Sequence, residues 1–299
     1  MNPRRLDRPI LPPATTRTRT GGVVLTHPQR ELWPGVTKQN LADYWRAVAL
    51  AALPGIARRP LAVVRCPDGV AGPHFFQKHG HRGLPLQIRE GLAAGEPYLA
   101  IDDVDGLVAM AQVAAIELHS WGASERDPLR PDRIVFDLDP GDGVGYAEVV
   151  DAAMLLRERL DALKLVSFCR TTGGKGLHVV TPLSGAADWA RARAFSKQMA
   201  ETLSREEPRR FVATISKEAR RGRILIDWLR NGLGATAVAS YSPRARDGAT
   251  VAAPLAWAEV TRALDPRAFT VRTTPARLAH GGADAWAGYA EVAQALPDD

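Results

Sequence analysis

Residues 133–140 read Arg133-Ile134-Val135-Phe136-Asp137-Leu138-Asp139-Pro140, an apolar run that ends in two aspartates. Side chains alternate along a β-strand, so Ile134, Phe136 and Leu138 fall on one face and Val135, Asp137 and Asp139 on the other. Both carboxylates therefore leave the strand in the same direction, where it stops. Two such groups repel unless a cation lies between them, and a divalent metal turns that repulsion into binding. The same residues also fit a strand running into a polar turn, because Asp-Pro-Gly-Asp-Gly is a turn sequence.

Outward from this strand, the pattern predicts a helix over Tyr146 to Lys164, with Val149, Ala153, Leu156, Leu160 and Leu163 as a narrow apolar stripe. Strands are predicted at Leu165–Arg170 and Leu177–Pro182, joined by a glycine-rich turn. A helix over Ala187–Leu203 presents Trp189, Ala192, Phe195, Met199 and Leu203. Upstream, Gly22–Thr26 reads as a short strand. Thr37 caps a helix reaching about Leu53, with Leu41, Trp45, Val48 and Ala52 on one face. Leu61–Arg65 reads as a buried strand, and Leu107–Leu118 fits helix or strand equally. Beyond Pro254 short helices and loops alternate. Helices and strands intermingle and several strands are adjacent hairpin partners, which predicts an α+β chain with a mixed or antiparallel sheet.

A third acid stands in the apolar run Arg223-Ile224-Leu225-Ile226-Asp227-Trp228-Leu229. A carboxylate there needs a partner, because burying it alone is costly. That partner is either a metal shared with Asp137 and Asp139 or an arginine such as Arg230. With the metal reading, three acids suffice for two Mg²⁺ or Mn²⁺ ions, the arrangement that serves phosphoryl transfer.

Three further segments suit an anionic substrate. Arg170-Thr171-Thr172-Gly173-Gly174-Lys175-Gly176-Leu177-His178 offers glycine amides, hydroxyls, a lysine and a histidine to a triphosphate. It is not a Walker A loop, since Gly176 stands where Ser or Thr should follow the lysine, and it also fits an ordinary glycine hairpin. In Tyr241-Ser242-Pro243-Arg244-Ala245-Arg246 two arginines share a face and suit phosphates or plain solvent. Phe75 and Phe76, beside Lys78 and His79, form a base-stacking platform if exposed, or core if not. His119, in Ile116-Glu117-Leu118-His119-Ser120-Trp121, suits a ligand or a structural role.

Composition narrows the class. The 299 residues carry a net charge of +6, mostly from arginine, which favours an anionic partner. Cys66 and Cys169 form no CxxC pair, so a cysteine zinc site and a disulfide framework are not expected, in keeping with a reducing cytoplasm. No apolar stretch approaches the ~20 residues of a membrane span. Residues 1–21 read as a basic flexible arm without an apolar signal core, and 22–299 as one domain.

The ordered set HPQRELWP, FFQKH, IELHSW, FDLDP, TTGGKGLH, IDWLRN and YSPRAR resembles the polymerase domain of bacterial ATP-dependent DNA ligase D, in the archaeo-eukaryotic primase superfamily. The resemblance covers about Gly22 to Tyr289 and implies a primase-like catalytic core. It implies Asp137, Asp139 and Asp227 as metal ligands and Lys175 and His178 as phosphate-binding residues. Thr172 stands where the family usually has serine. His119, Arg244 and Arg246 match positions around the incoming nucleotide. His27, Arg30 and Lys38 match a basic surface for a 5′-phosphate, Phe75 and Phe76 a pair that packs on the template, and Arg220 a DNA-facing position. The implied activity is template-dependent addition of NTPs or dNTPs to a primer 3′-hydroxyl at DNA gaps or ends. Its setting is double-strand break repair by non-homologous end joining, with Mn²⁺ or Mg²⁺ as cofactor and Ku and a DNA ligase as partners. No ligase or phosphoesterase module is recognised, so the expectation is a free-standing polymerase or an excised domain. The alternatives are a DNA-end-binding module without catalysis, a true primase, and a metal-dependent phosphohydrolase.

Overall fold

The computed structural model describes residues 16–280 and 285–297. Part of the stretch read as an arm is a strand. β1 (Arg17–Thr20) pairs with β2 (Val23–Thr26) as an antiparallel hairpin, while residues 1–15 lie outside the described part. β3 (Glu31–Trp33) and β4 (Val36–Thr37) then turn the chain into α1 (Lys38–Ile56). Thr37 caps α1 as expected. Its hydroxyl accepts the Asn40 N–H at 3.2 Å, and the Asn40 side chain accepts the Thr37 N–H at 2.9 Å. Two backbone donors that the helix start would leave without partners are thereby satisfied.

The remaining elements follow in chain order: β5 (Leu61–Arg65), β6 (Phe75–Gln77), β7 (Arg89–Ala93), β8 (Glu96–Ala100), α2 (Val104–Gln112), β9 (Ala115–Ser120), β10 (Arg133–Pro140), α3 (Tyr146–Ala162), β11 (Phe168–Thr171), β12 (Leu177–Pro182), α4 (Trp189–Glu206), β13 (Phe211–Val212), β14 (Ile224–Asp227), β15 (Ala237–Val238), β16 (Pro254–Leu255) and α5 (Thr273–Ala279). They build two larger sheets. One has the order β13-β14-β10-β12-β11-β16, antiparallel except for β13 with β14. The other has the order β15-β9-β5-β8-β7, with β6 on β5. The class is α+β, as the sequence predicts.

Three local readings change. Leu107–Leu118 is both helix and strand: α2 ends, Ala114 takes φ +53°, and β9 begins. The strand expected from Leu165 starts at Phe168, because the Leu165 N–H is taken by Leu160 O at 2.9 Å, which closes the end of α3. The strand expected over Arg223–Leu229 stops at Asp227. Trp228 turns helical and a 3₁₀ turn, Leu229–Asn231, follows.

Each large sheet has its own helical cover. Ile134, Phe136 and Leu138 of β10 pack with Leu177, Val179, Ile226 and the apolar faces of α3 and α4. Burying each such side chain stabilises the fold by roughly 1.5–3 kcal/mol. α1 and α2 share a second core with β5 and β9, in which Leu41, Trp45, Val48 and Ala52 are fully buried. The far face of β10, which carries Val135, Asp137 and Asp139, is left without a helix. There Val135 and Val180 meet Ala237 of β15, so an edge of the second sheet lies over the first.

Candidate active site

Strand register brings the acids together. Asp137 lies opposite His178 on β12 and opposite Asp227 on β14, so these residues form one row across three neighbouring strands. Asp139 stands one pleat further along the same face. Asp137, Asp139 and His178 line a cavity of about 210 Å³ whose walls also include His119, Thr172, Lys175, Arg230, Arg244, Arg246 and Thr236–Val238, with Asp227 beside Asp137. Four segments far apart in sequence thus converge where the two sheets meet.

Arginines neutralise the acids. Arg230 reaches Asp137 at 3.3 Å and Asp227 at 3.1 Å, and Arg220 pairs with Asp139. The salt-bridge partner foreseen for Asp227 is therefore present, and it serves Asp137 too. Arg220, expected on the DNA-facing surface, instead turns its guanidinium toward the acids. Burial pushes the Asp227 carboxyl above its usual range and the negative Asp137 and Asp139 add to this, with Arg230 opposing. Burial also works against Asp137, yet His178, Arg230 and Arg244 together hold it down at about 2. His178 is buried, which pushes its pKa down to about 4. Arg170 Nε donates to its Nδ1 at 3.1 Å, so Nδ1 is the acceptor and the ring proton sits on Nε2, 3.4 Å from Asp137. His178 thus offers Asp137 an N–H on one side, with Arg230 on the other.

The glycine loop is held from within. The Thr172 hydroxyl accepts the N–H groups of Gly174 and Gly176, both at 3.3 Å, and donates to Gly176 O at 3.1 Å. These two amides serve the loop, as in the ordinary glycine hairpin that the sequence also fits. The threonine methyl packs toward Gly176, so the extra carbon relative to serine is absorbed inside the turn. Gly173 has φ +64° and sits against Arg244 and the Val251 backbone, positions closed to any side chain. Lys175 and Arg246 are exposed and enter no ion pair among the described residues.

Asn231 was missed in the sequence reading. It is 2% exposed, and its side chain stands in for the strand partner that β10 loses when β14 ends. Its Oδ1 accepts the Val135 N–H at 2.8 Å and its Nδ2 donates to Val135 O at 2.9 Å. Asn231→Ala leaves two buried backbone groups unpaired and is expected to cost about 2–4 kcal/mol. A urea titration checks this, and a midpoint equal to the parent's contradicts it.

The residues expected to meet DNA divide. Phe75 and Phe76 are both exposed, at 52% and 57%, so neither is core. The edge of Phe76 meets His119 with ring centres 6.0 Å apart, which joins the aromatic pair to the cavity. His27 and Arg30 are exposed beside the first hairpin. Lys38 does not lie on the surface. It is 5% exposed, and its ammonium donates to Thr26 O at 2.9 Å and Gln112 O at 3.0 Å. Burial first, then Arg30 and Arg65, lower its pKa to about 8. Arg65, opposite Phe75 on β5, joins this basic cluster and had no signal of its own in the sequence.

Among the described residues no three His, Cys, Asp or Glu groups are gathered as a metal-holding set. The donor chemistry still fits a hard divalent cation, which favours carboxylate oxygens. Three acids share one face, and burial first, then the charges of Asp137 and Asp139, raise Asp227. Arg220 and Arg230 now supply the counter-charge that an ion would take over.

Such a cavity, with acids facing the exposed cations Lys175 and Arg246 beside exposed aromatics, has the make-up of a nucleotidyl-transfer site. The family model for the LigD primase-polymerase domain matches residues 37–286, and the chain belongs to that family. It is 36% identical to the multifunctional non-homologous end joining protein LigD of Pseudomonas aeruginosa, over 97% of this chain and 36% of that protein. Against the corresponding protein of Mycobacterium tuberculosis it is 37% identical, over 80% of this chain and 33% of the relative. The chain thus spans about a third of the length of these curated relatives. The polymerase domain of Mycobacterium tuberculosis ligase D, solved in complex with DNA, superposes with a TM-score of 0.81 at 36% identity, covering 87% of this chain and 95% of that one. Among the described residues no helix is long and apolar enough to cross a membrane.

Proposed function

We propose that this chain adds NTPs or dNTPs to a primer 3′-hydroxyl at 5′-phosphorylated DNA gaps or ends, in bacterial cytoplasmic end-joining repair. Ku and a DNA ligase are the partners this reading assigns. The observation that carries it is the row His178–Asp137–Asp227, whose first two members line a cavity that also holds Lys175 and Arg246. Asp137, Asp139 and Asp227 would hold two Mn²⁺ or Mg²⁺ ions, which when bound acidify the attacking hydroxyl and stabilise the leaving oxygen. Lys175, Arg244 and Arg246 neutralise the triphosphate and orient it toward the acids. His178, with its proton fixed on Nε2, donates a hydrogen bond on that face. Phe75 and Phe76 stack against template bases, while His27 and Arg30 attract the 5′-phosphate. Template pairing selects the base, so the protein reads only shape and phosphate.

The test is incubation with a 5′-phosphorylated gapped duplex, Mn²⁺ and labelled NTPs or dNTPs. Extension of the primer at the gap is the expected product. Binding of the duplex with no extension by either nucleotide class would leave a DNA-end-binding module instead.

A further inference from the structure

Glu117 is a buried carboxylate beside the cavity with no part in the chemistry above. It lies on β9, two residues before His119, and is 6% exposed. Its Oε2 accepts the Nε2–H of His119 at 2.8 Å and forms an ion pair with Arg244 Nε at 3.1 Å. Its Oε1 accepts the Ala245 N–H at 2.9 Å. One carboxylate therefore fixes two cavity-lining side chains from different segments, and also the backbone between Arg244 and Arg246. Contacts continue both ways. Arg244 Nη1 donates to Thr172 O in the glycine loop, and His119 carries the edge of Phe76.

We propose that Glu117 is a positioning residue for the incoming nucleotide, setting His119 and Arg244 at the triphosphate end of the cavity. This rests on the nucleotidyl-transfer reading. Both Glu117 oxygens face donors, and a carboxylate is acceptor-only. An amide of the same shape must turn its NH₂ toward Ala245 N–H or toward His119 and Arg244, so one donor meets another. The loss then falls on the placement of two side chains and leaves the core intact.

The experiment compares the full chain with Glu117→Gln and Glu117→Asp on a 5′-phosphorylated gapped duplex with Mn²⁺ and UTP. For Glu117→Gln the KM for UTP is expected to rise about tenfold or more, with a smaller fall in kcat. Duplex affinity stays within about twofold and the melting temperature within a few degrees of the parent. Glu117→Asp, which keeps the charge but is one methylene short, falls between Gln and the parent. If the Gln variant does not fold, the Asp variant carries the same comparison. A folded variant with the parent's KM overturns the proposal, as does duplex affinity that falls in step with UTP affinity. A parent protein that adds no nucleotide overturns the polymerase reading itself, whereas an active parent with an unaffected Glu117→Gln variant overturns only the role of Glu117.

Discussion

Asp137→Ala protein is expected to lose nucleotide addition by about 10³-fold or more while binding a 5′-phosphorylated DNA end as the parent does. Asp137 is central in the acid row, opposite both His178 and Asp227. Its loss removes one oxygen donor from each side of the row and the acceptor for the His178 Nε2–H. The fold should survive, because Arg230 keeps Asp227 as a partner at 3.1 Å. Phe75, Phe76, His27 and Arg30, the groups proposed to meet DNA, lie on other strands and loops than Asp137. Asp137→Asn gives a matched comparison, since it keeps the shape and removes only the charge. Primer extension and filter binding on the same preparation separate the two effects. Extension within tenfold of the parent would sink the assignment of Asp137 as an essential acid.

The acid site was legible because each of its signals is local. Alternation puts Asp137 and Asp139 on one face whatever the rest of the chain does, and an acid in the apolar run 224–229 announces itself as Asp227. Register is not local, and register is what places Asp227 beside Asp137. The same cue that exposed Asp227 also marks Glu117, a carboxylate in the apolar strand Ala115–Ser120, yet there the eye goes to His119. Lys38 was misread for the opposite reason. A lysine after a helix cap looks solvated, and only the hairpin of β1 and β2 with the end of α2 supplies the carbonyls that draw it inward. Arg230 was legible as a partner for Asp227, three residues away, but the clasp of Asn231 on Val135 follows from β14 ending at Asp227. The glycine loop fitted both an anion nest and an ordinary hairpin from its composition. Composition does not say which way the amides point, and Thr172 turns two of them inward.

That inward turn makes Gly176→Ala the second large effect. A Cβ at Gly176 would lie 2.4 Å from the carbonyl oxygen of Leu138, the residue between Asp137 and Asp139. Neither neighbour is a flexible side-chain end, so one of the two backbones must move. Overpacking of this kind costs typically about 1–3 kcal/mol, a fall of several degrees in melting temperature for a domain of this size. The larger loss is in rate. β10 cannot retreat, because Leu138 is fully buried under α3 and α4 and Val135 is clasped by Asn231. The glycine loop must give instead, and it carries Lys175 and the Thr172 carbonyl that receives Arg244. A shift of about 1 Å in such groups costs on the order of 10²-fold in rate. Gly176→Ala should therefore remain folded, bind DNA normally and extend a primer on the order of 10²-fold more slowly. Gly174→Ala is the internal comparison: its Cβ would meet Thr172 and Arg246 at 3.4–3.5 Å, an ordinary contact, and should slow extension far less. Equal rates for the two variants would show that contact between the glycine loop and Leu138 does not set the geometry of the acids.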